Sequence, residues 1–379
     1  MRFLSVSLFL ICFSSIAQEH MSLIFVGDIM GHGSQIEAAF ESKNNSYDYK
    51  NVFERIKPIL SKPDFAIANL EVTLAGPPYK GYPQFSSPEA LAVACKESGI
   101  DVLVTANNHS CDRGRKGIER TIQTLDKLNI AHNGTYKNEK DRRLRNLLIL
   151  RKDNIRIGLL NYTYGTNGLK APKPTSVNYI DTNQIKRDIQ QSEKEQLDGL
   201  IAFVHWGKEY ETKPNKYQIR IAQFLFRNGI DIIIGGHPHV IQKTQFDTKK
   251  NKLIAYSLGN FVSNQASTNT DGGMLLEIEL EKVNGKLIIN NAFHHLIWVN
   301  KPTRKNKKIF ESKWQKTTRV MIIFKDMNRH SLDSLRDILK EHAKEKSWVY
   351  VICPPVETKE FFEKYSNLTF YHMKEPFYL

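Results

Sequence analysis

Cysteine is scarce in this chain. Four occur in 379 residues, and one of them, Cys12, lies in an N-terminal apolar stretch. The three that follow, Cys95, Cys111 and Cys353, are an odd number without close spacing. That excludes a disulfide framework as the basis of the fold, and it excludes a zinc site built on paired thiolates. One bridge and three buried thiols both stay compatible with the sequence. Long apolar runs are also missing. The one from Phe3 to Phe13 is short for a spanning helix, which takes about 20 residues. Negative charge is in deficit, with 40 Asp and Glu against 54 Lys and Arg and a formal net charge of +14. A field of that sign favours anionic partners such as phosphoesters, acidic polymers, nucleic acid or lipid headgroups. A basic but solvated surface would give the same number. No nucleic-acid-binding signature is present, so no nucleic-acid partner is expected. Internal repeats are absent too.

The N-terminus is informative. "MRFLSVSLFLICFSSIAQEH" has one early cation, Arg2, then the apolar run, then small residues, and Ser15-Ile16-Ala17 fits a signal-peptidase site. Residues 1–17 therefore read as a signal peptide, with a mature chain beginning near Gln18. Ile11 precedes Cys12, where a lipoprotein signal would want a small residue. The expectation is an exported protein, periplasmic or associated with the cell envelope. A retained anchor is the alternative.

The body of the chain alternates. "SLIFVGD" (22–28), "DFAIANLE" (64–71), "DVLVTANNH" (101–109), "IRIGLLNYT" (155–163), "GLIAFVHWG" (199–207) and "DIIIGGHPH" (231–239) read as strands. Between them, "GIERTIQTLDKLNI" places Ile118, Ile122, Leu125 and Leu128 at helical spacing, and "KYQIRIAQFLFRNG" reads as a second helix. "KLIAYSLGNF", "GGMLLEIELE" and "KLIINNAFHHL" read as consecutive strands, the last two joined by an Asn284-Gly285 turn. Strand–helix alternation implies an α/β fold with helices covering the sheet faces. The late strands, lacking helices, suggest a second sheet packed on the first. Residues 18–299 form the main domain in this reading. A basic "KPTRKNKK" segment then opens residues 300–379, a small C-terminal α/β extension or an extra layer, of unknown role.

Polar residues cluster where these strands end. Asp28 follows Val26-Gly27, Asn69 and Glu71 follow Ala68, and Asn107, Asn108 and His109 follow Ala106. His205 follows Val204, and His237 and His239 follow Ile234 in "GGHPH". In an open α/β sheet, ligands bind outside the carboxyl ends of the strands. Carboxylates, an amide and several imidazoles on one rim suit a divalent transition metal with nitrogen and oxygen donors. Taken singly each residue has a plainer reading. A lone histidine after a strand is more often structural, Asp28 can cap a helix, Asn107 and Asn108 can make a turn, and Glu71 can be a surface charge. Their recurrence at five strand ends carries the metal reading.

The same order resembles the calcineurin-like metallophosphoesterases. More closely, "GDIM", "ANLE", "TANNHSCDRG", "VHWGKEY", "GGHPH" and "YSLGNF" resemble the CapA family of poly-gamma-glutamate capsule-synthesis proteins, over residues 23–261 or as far as 296. The resemblance implies a four-layer sandwich of two mixed β-sheets flanked by helices. It also implies one or two divalent ions, Mn, Fe or Zn, at a phosphoesterase-type site. By resemblance, Asp28 and Glu71 bridge or flank the metals, Asn108, His205 and His237 hold one, His239 faces the other, and His109 is the general acid. Asn69 and Asn107 support binding. Trp206, with Tyr210, would wall the pocket, and Arg113 either reads an anionic group of the substrate or pairs with Asp112. Two departures stand out. Met30 occupies the place of a metal-binding histidine, and a thioether suits a hard or borderline ion poorly, so one metal position is expected to be weak or rebuilt. Glu71 stands where an aspartate would bridge. Three functions follow: a metal-dependent hydrolase of phosphoester-like bonds in an anionic substrate, a non-catalytic metal-stabilised subunit for assembly, export or anchoring of an anionic polymer beside a membrane synthase, or a metal-dependent amide hydrolase acting on an acidic polymer.

Overall fold

The structure is a computed structural model that describes residues 19–299, apart from 266 and 268. The expected signal peptide, Cys353 and the C-terminal extension lie outside the described residues.

Four parallel strands start the first sheet: β1 (Glu19–Ile29), β2 (Phe65–Leu70), β3 (Val102–Val104) and β4 (Ala131–Asn133). Their sequences are apolar at successive positions because both faces are covered. In β1, Leu23 and Phe25 belong to one buried cluster while Ile24 and Val26 belong to another, on the opposite face. The second sheet holds β5 (Leu148–Lys152), β6 (Ile155–Thr163), β7 (Gly199–His205), β8 (Ile232–Gly236), β9 (Thr244–Asp247) and β10 (Lys252–Ala255), in the order β9-β10-β8-β7-β6-β5. Its central strands are parallel, and its two edge strands are antiparallel to their neighbours.

The two sheets pack face to face. Leu23, Phe25, Ile67 and Val104 of the first meet Ile157, Leu159, Ile201, Phe203 and Ile234 of the second in one buried cluster. On the outer face of the first sheet lie α1 (Ala90–Glu97) and α2 (Gly114–Lys127), through Leu91, Cys95 and Leu125. On the outer face of the second lie α3 (Thr182–Ser192) and α4 (Lys216–Arg227), through Ile185, Ile189, Ile221 and Leu225. Helix, sheet, sheet and helix make the four layers expected. Cys95 and Cys111 are buried free thiols.

The late strands depart from the expectation. They do not build the second sheet, which comes from the middle of the chain. "KLIAYSLGNF" is split: β10 joins the second sheet, while β11 (Asn260–Val262) crosses over and pairs with β1. The hairpin of β12 (Gly272–Val283) and β13 (Lys286–Trp298) then extends the first sheet beyond β1. The physical reason is the free edge of β1, which an antiparallel hairpin can pair along its length. The hairpin turns at Asn284 and Gly285, both with positive φ (51° and 75°), as a two-residue connection requires.

Candidate metal centre

The parallel strands of both sheets point their carboxyl ends at one rim, and the polar residues stand there. Asp28 reaches it through a break in β1: pairing with β2 runs Val26 with Ala68, then Asp28 with Asn69, leaving Gly27 as an extra residue. A Cβ on Gly27 would stand 1.9 Å from the Gly259 carbonyl oxygen, so only glycine admits this approach. Asn69 is the last residue but one of β2, and Glu71 follows the strand. The chain turns immediately after β3, so Thr105 to His109 form a loop, not the longer strand expected. His205 ends β7.

In "GGHPH" two glycines end β8 and a loop follows that glycine makes possible and histidine strains. A Cβ on Gly235 would meet the Tyr256 carbonyl oxygen at 2.0 Å, and one on Gly236 would meet Asp28 Oδ1 at 2.7 Å. His237 has φ of 96° and His239 of 58°, a region that side-chain-bearing residues enter at a cost of about 1–3 kcal/mol each. In return both imidazoles are turned into the rim.

The donors converge. Glu71 Oε1 lies 3.4 Å from His205 Nε2 and 3.8 Å from His239 Nε2. His239 Nδ1 is 3.2 Å from Asp28 Oδ2, and the His237 backbone N–H donates to that same oxygen at 3.2 Å. His205 Nε2 and Asn108 Oδ1 are 2.8 Å apart. Two sets of donor atoms, Glu71 with His205 and His237, and Asp28 with Glu71 and His239, each lie within 4.8 Å of one another. Glu71 is common to both, as a carboxylate between two ions would be. Behind the donors, Asn69 Nδ2 donates to Asp28 Oδ1 at 2.8 Å and lies 3.2 Å from His205 Nδ1, while Asn69 Oδ1 accepts from Asn107 Nδ2 at 3.2 Å. Asn69 and Asn107 thus hold donor side chains in place.

The charge balance is incomplete without a cation. Asp28 and Glu71 are fully buried, and among the described residues no lysine or arginine pairs with either. Burial pushes Glu71 well above the usual carboxylate range, and the neighbouring Asp28 and Glu209 push it further. Burial also pushes Asp28 up, but hydrogen bonding and attraction from His239, with help from His205 and Asn69, outweigh it and leave Asp28 low. Burial drives His205 down to about 3 and His237 well below the ordinary imidazole range, so neither supplies positive charge at neutral pH. Both Glu71 oxygens and His237 Nδ1 are buried without a hydrogen-bond partner. Buried polar atoms are rarely left so. Orphaned carboxylate and imidazole atoms facing one another fit a divalent ion with nitrogen and oxygen ligands.

His109 stands beside this group, not in it. Its Nδ1 is 2.8 Å from Asp112 Oδ2, which also accepts the Phe85 backbone N–H at 2.7 Å. Its ring meets Phe85 edge to face at 4.6 Å.

Several expectations are corrected. Trp206 does not wall the site. Side chains alternate along β7 and its continuation, so His205 points to the rim and Trp206 to the outer core. Trp206 is 0% exposed and donates Nε1–H to the Tyr256 carbonyl at 2.9 Å. Arg113 does not pair with Asp112, whose carboxylate is taken by His109 and Phe85; its Nη2 reaches the Pro78 carbonyl at 3.5 Å. Met30 is buried in the apolar cluster under the first sheet, and His32 is engaged with Gln35 and Asn264. Tyr210 does lie at the rim, 6.3 Å from the His239 ring.

Three residues escaped the sequence reading. Tyr164 tilts over His237 with ring centroids 4.6 Å apart. Asn260 Oδ1 lies 3.1 Å from His239 Nδ1; its signal was the "SLGN" block after β10. Glu209 has an oxygen within 4.8 Å of nitrogens of His237 and His239. It sits four residues after His205 in "HWGKEY".

The chain is a two-sheet α/β sandwich with carboxylates and imidazoles gathered at its strand ends. The family described as bacterial capsule synthesis protein PGA_cap matches residues 22–265, and the chain belongs to that family. Capsule biosynthesis protein CapA of Bacillus anthracis is 32% identical over 284 residues, covering 72% of this chain and 66% of that protein. PGA biosynthesis protein CapA of Bacillus subtilis (strain 168) is 29% identical over 270 residues, covering 69% and 68%. The chain therefore spans about two thirds of the length of these relatives. A solved structure, the calcineurin-like phosphoesterase YfkN from Bacillus subtilis, is similar at a TM-score of 0.46 and 15% identity, covering 79% of this chain and 97% of its own.

Proposed function

We propose that this chain is an exported, metal-dependent hydrolase of phosphoester or related anionic substrates, acting in the biosynthesis of a capsule or cell-envelope polymer. The observation that carries the reading is Glu71: fully buried, both oxygens without a partner, and shared by two groups of converging donors. Glu71, His205 and His237, with Asn108, would hold one ion, and Asp28, Glu71 and His239 a second. The donor set suits Mn, Fe or Zn. Bound there, divalent ions lower the pKa of water and neutralise charge on the oxygens of an in-line displacement.

The protein's own part is positioning and proton transfer. Asp112 takes His109 Nδ1 and leaves Nε2 as the ring's reactive nitrogen, suited to protonating a leaving oxygen. Asn69 and Asn107 fix the Asp28 and His205 side chains. Tyr164 and Tyr210, both substantially exposed, flank the imidazoles where a substrate would enter. The names of the two CapA relatives and the net charge of +14 support an acidic polymer, poly-gamma-glutamate among them, as the material handled. A membrane synthase complex is the partner this reading proposes. The N-terminal apolar segment supports export.

The test is a pair of measurements on purified protein. Elemental analysis should find at least one tightly held divalent ion, and hydrolysis of a chromogenic phosphodiester should require it. Protein that holds no metal after mild purification, and folds identically with chelator, would refute the proposal.

A further inference from the structure

This inference rests on the metal reading above. The loop after β7 carries three charged residues. Lys208 is exposed and pairs with the half-buried Glu211 at 3.2 Å. Glu209, between them, is half-buried and faces the other way. Two features fix the loop. Gly207 takes φ of 93°, and the Tyr210 N–H donates to the Pro238 carbonyl at 2.8 Å. That hydrogen bond ties the loop to the histidine turn itself, and it requires φ of 68° at Tyr210. As a result one Glu209 oxygen and one nitrogen each from His237 and His239 lie within 4.8 Å of one another. His237 Nδ1 is buried and has no partner. Among the described residues no lysine or arginine forms an ion pair with Glu209.

We propose that Glu209 is a further metal ligand, joining His239 at the second position on the more exposed side of the centre, with His237 within reach of the same oxygen. A carboxylate oxygen there supplies the hard donor that Met30, packed into the apolar cluster, does not. One position of the centre is then rebuilt from a neighbouring loop. Because Glu209 is partly solvent-accessible, the ion it holds exchanges more readily than the one among the buried donors.

The experiment is calorimetric titration of the metal-free full chain with manganese and with zinc, alongside elemental analysis, for wild type, Glu209→Gln and Glu211→Gln. Loss of an outer-shell partner typically costs 10- to 100-fold in metal affinity, so loss of a ligand should cost at least about 10-fold. The expected result is a wild-type Kd for the weaker ion raised at least about 10-fold in Glu209→Gln. The tighter ion should be retained, and the metal-free melting temperature should match wild type. Glu211→Gln keeps the loop's backbone and the Glu209 carboxylate, loses only the pairing with Lys208, and should bind as wild type does. If wild type binds ions and Glu209→Gln binds them with unchanged affinity and number, Glu209 is not a ligand and the inference alone falls. If wild type binds no ion, the metal centre falls and the inference with it. If Glu209→Gln loses both ions equally with an unchanged fold, the separate outer position is overturned.

Discussion

Gly236 shows how little space the centre has. A Cβ there would stand 2.7 Å from Asp28 Oδ1, so Gly236→Ala should push that carboxylate aside and lower metal content while leaving most of the fold in place. Elemental analysis with a thermal melt checks both halves, and full metal content would mean that the Asp28 position is not critical. The histidines divide by what they touch. His237→Ala removes a donor and should lose metal. His109→Ala removes a group held by Asp112 outside the donor sets, and should keep its metal but lose on the order of 10² to 10⁴ in rate. Equal metal loss in both variants would end that division. Normal capsule with His109→Ala, beside failure with His237→Ala, would make the protein a non-catalytic assembly subunit. Met30→His is instructive because alignment and structure disagree about it. Packed in the apolar cluster, a histidine there should cost about 1–3 kcal/mol for burying a polar group and add no ion. A rise in metal stoichiometry would show that position 30 can reach the site.

At the scale of elements, the loop after β8 exchanges stability for geometry. His237 at φ of 96° is strained whatever its side chain, unless that residue is glycine. Comparing His237→Gly with His237→Ala isolates this term, since both lack the imidazole. Measured by urea denaturation in the presence of chelator, the glycine variant should be the more stable by about 1 kcal/mol. Equal stability would mean that the loop relaxes and stores no strain. The surroundings oppose relaxation: Gly235 packs on the Tyr256 carbonyl, which also accepts Trp206 Nε1–H, and Tyr210 N–H holds Pro238. A strand end, a glycine pair and a neighbouring loop therefore act together to present two imidazoles.

For the whole molecule, the metal should be part of stability. An ion that binds only the folded state contributes about 2.7 kcal/mol at a hundred times its Kd, so chelator should lower the melting temperature and added ion restore it. The pH dependence of the metal-free protein has a defined sign. His205 and His237 are depressed in the fold, so below about pH 6.5 the unfolded chain takes up two protons that the folded one refuses, and stability falls with acidification. Glu71 is raised and opposes this, because between its ordinary and its raised value the folded state holds the extra proton. The two histidines alone would give a slope of up to about 2.7 kcal/mol per pH unit, reduced to about 1.4 over the range where Glu71 opposes them, with stability lost as pH falls from about 6.5 toward 4. A flat or inverted profile of melting temperature against pH would show that these imidazoles are not buried neutral.

Much of this protein was set by its sequence alone. Apolar runs ending in Asp28, Asn69, His205 and His237 marked both the strands and the rim, because in a sheet covered on both faces a polar residue can stand only where the strand stops. Asn284-Gly285 marked its hairpin, because few residues accept positive φ at two successive positions. The N-terminal and C-terminal assignments lie outside the described residues. Other features needed the tertiary structure, since they depend on contacts between distant segments. The late hairpin had to choose between two sheets, and the open edge of β1 decided it. Trp206 and His205 are neighbours in sequence with opposite environments, and only the strand's facing separates them. Asp112 looked ready to pair with Arg113, but the buried ring of His109 lay nearer. Glu209 could not be told from a solvated charge until the Tyr210–Pro238 hydrogen bond carried its loop back over the histidines.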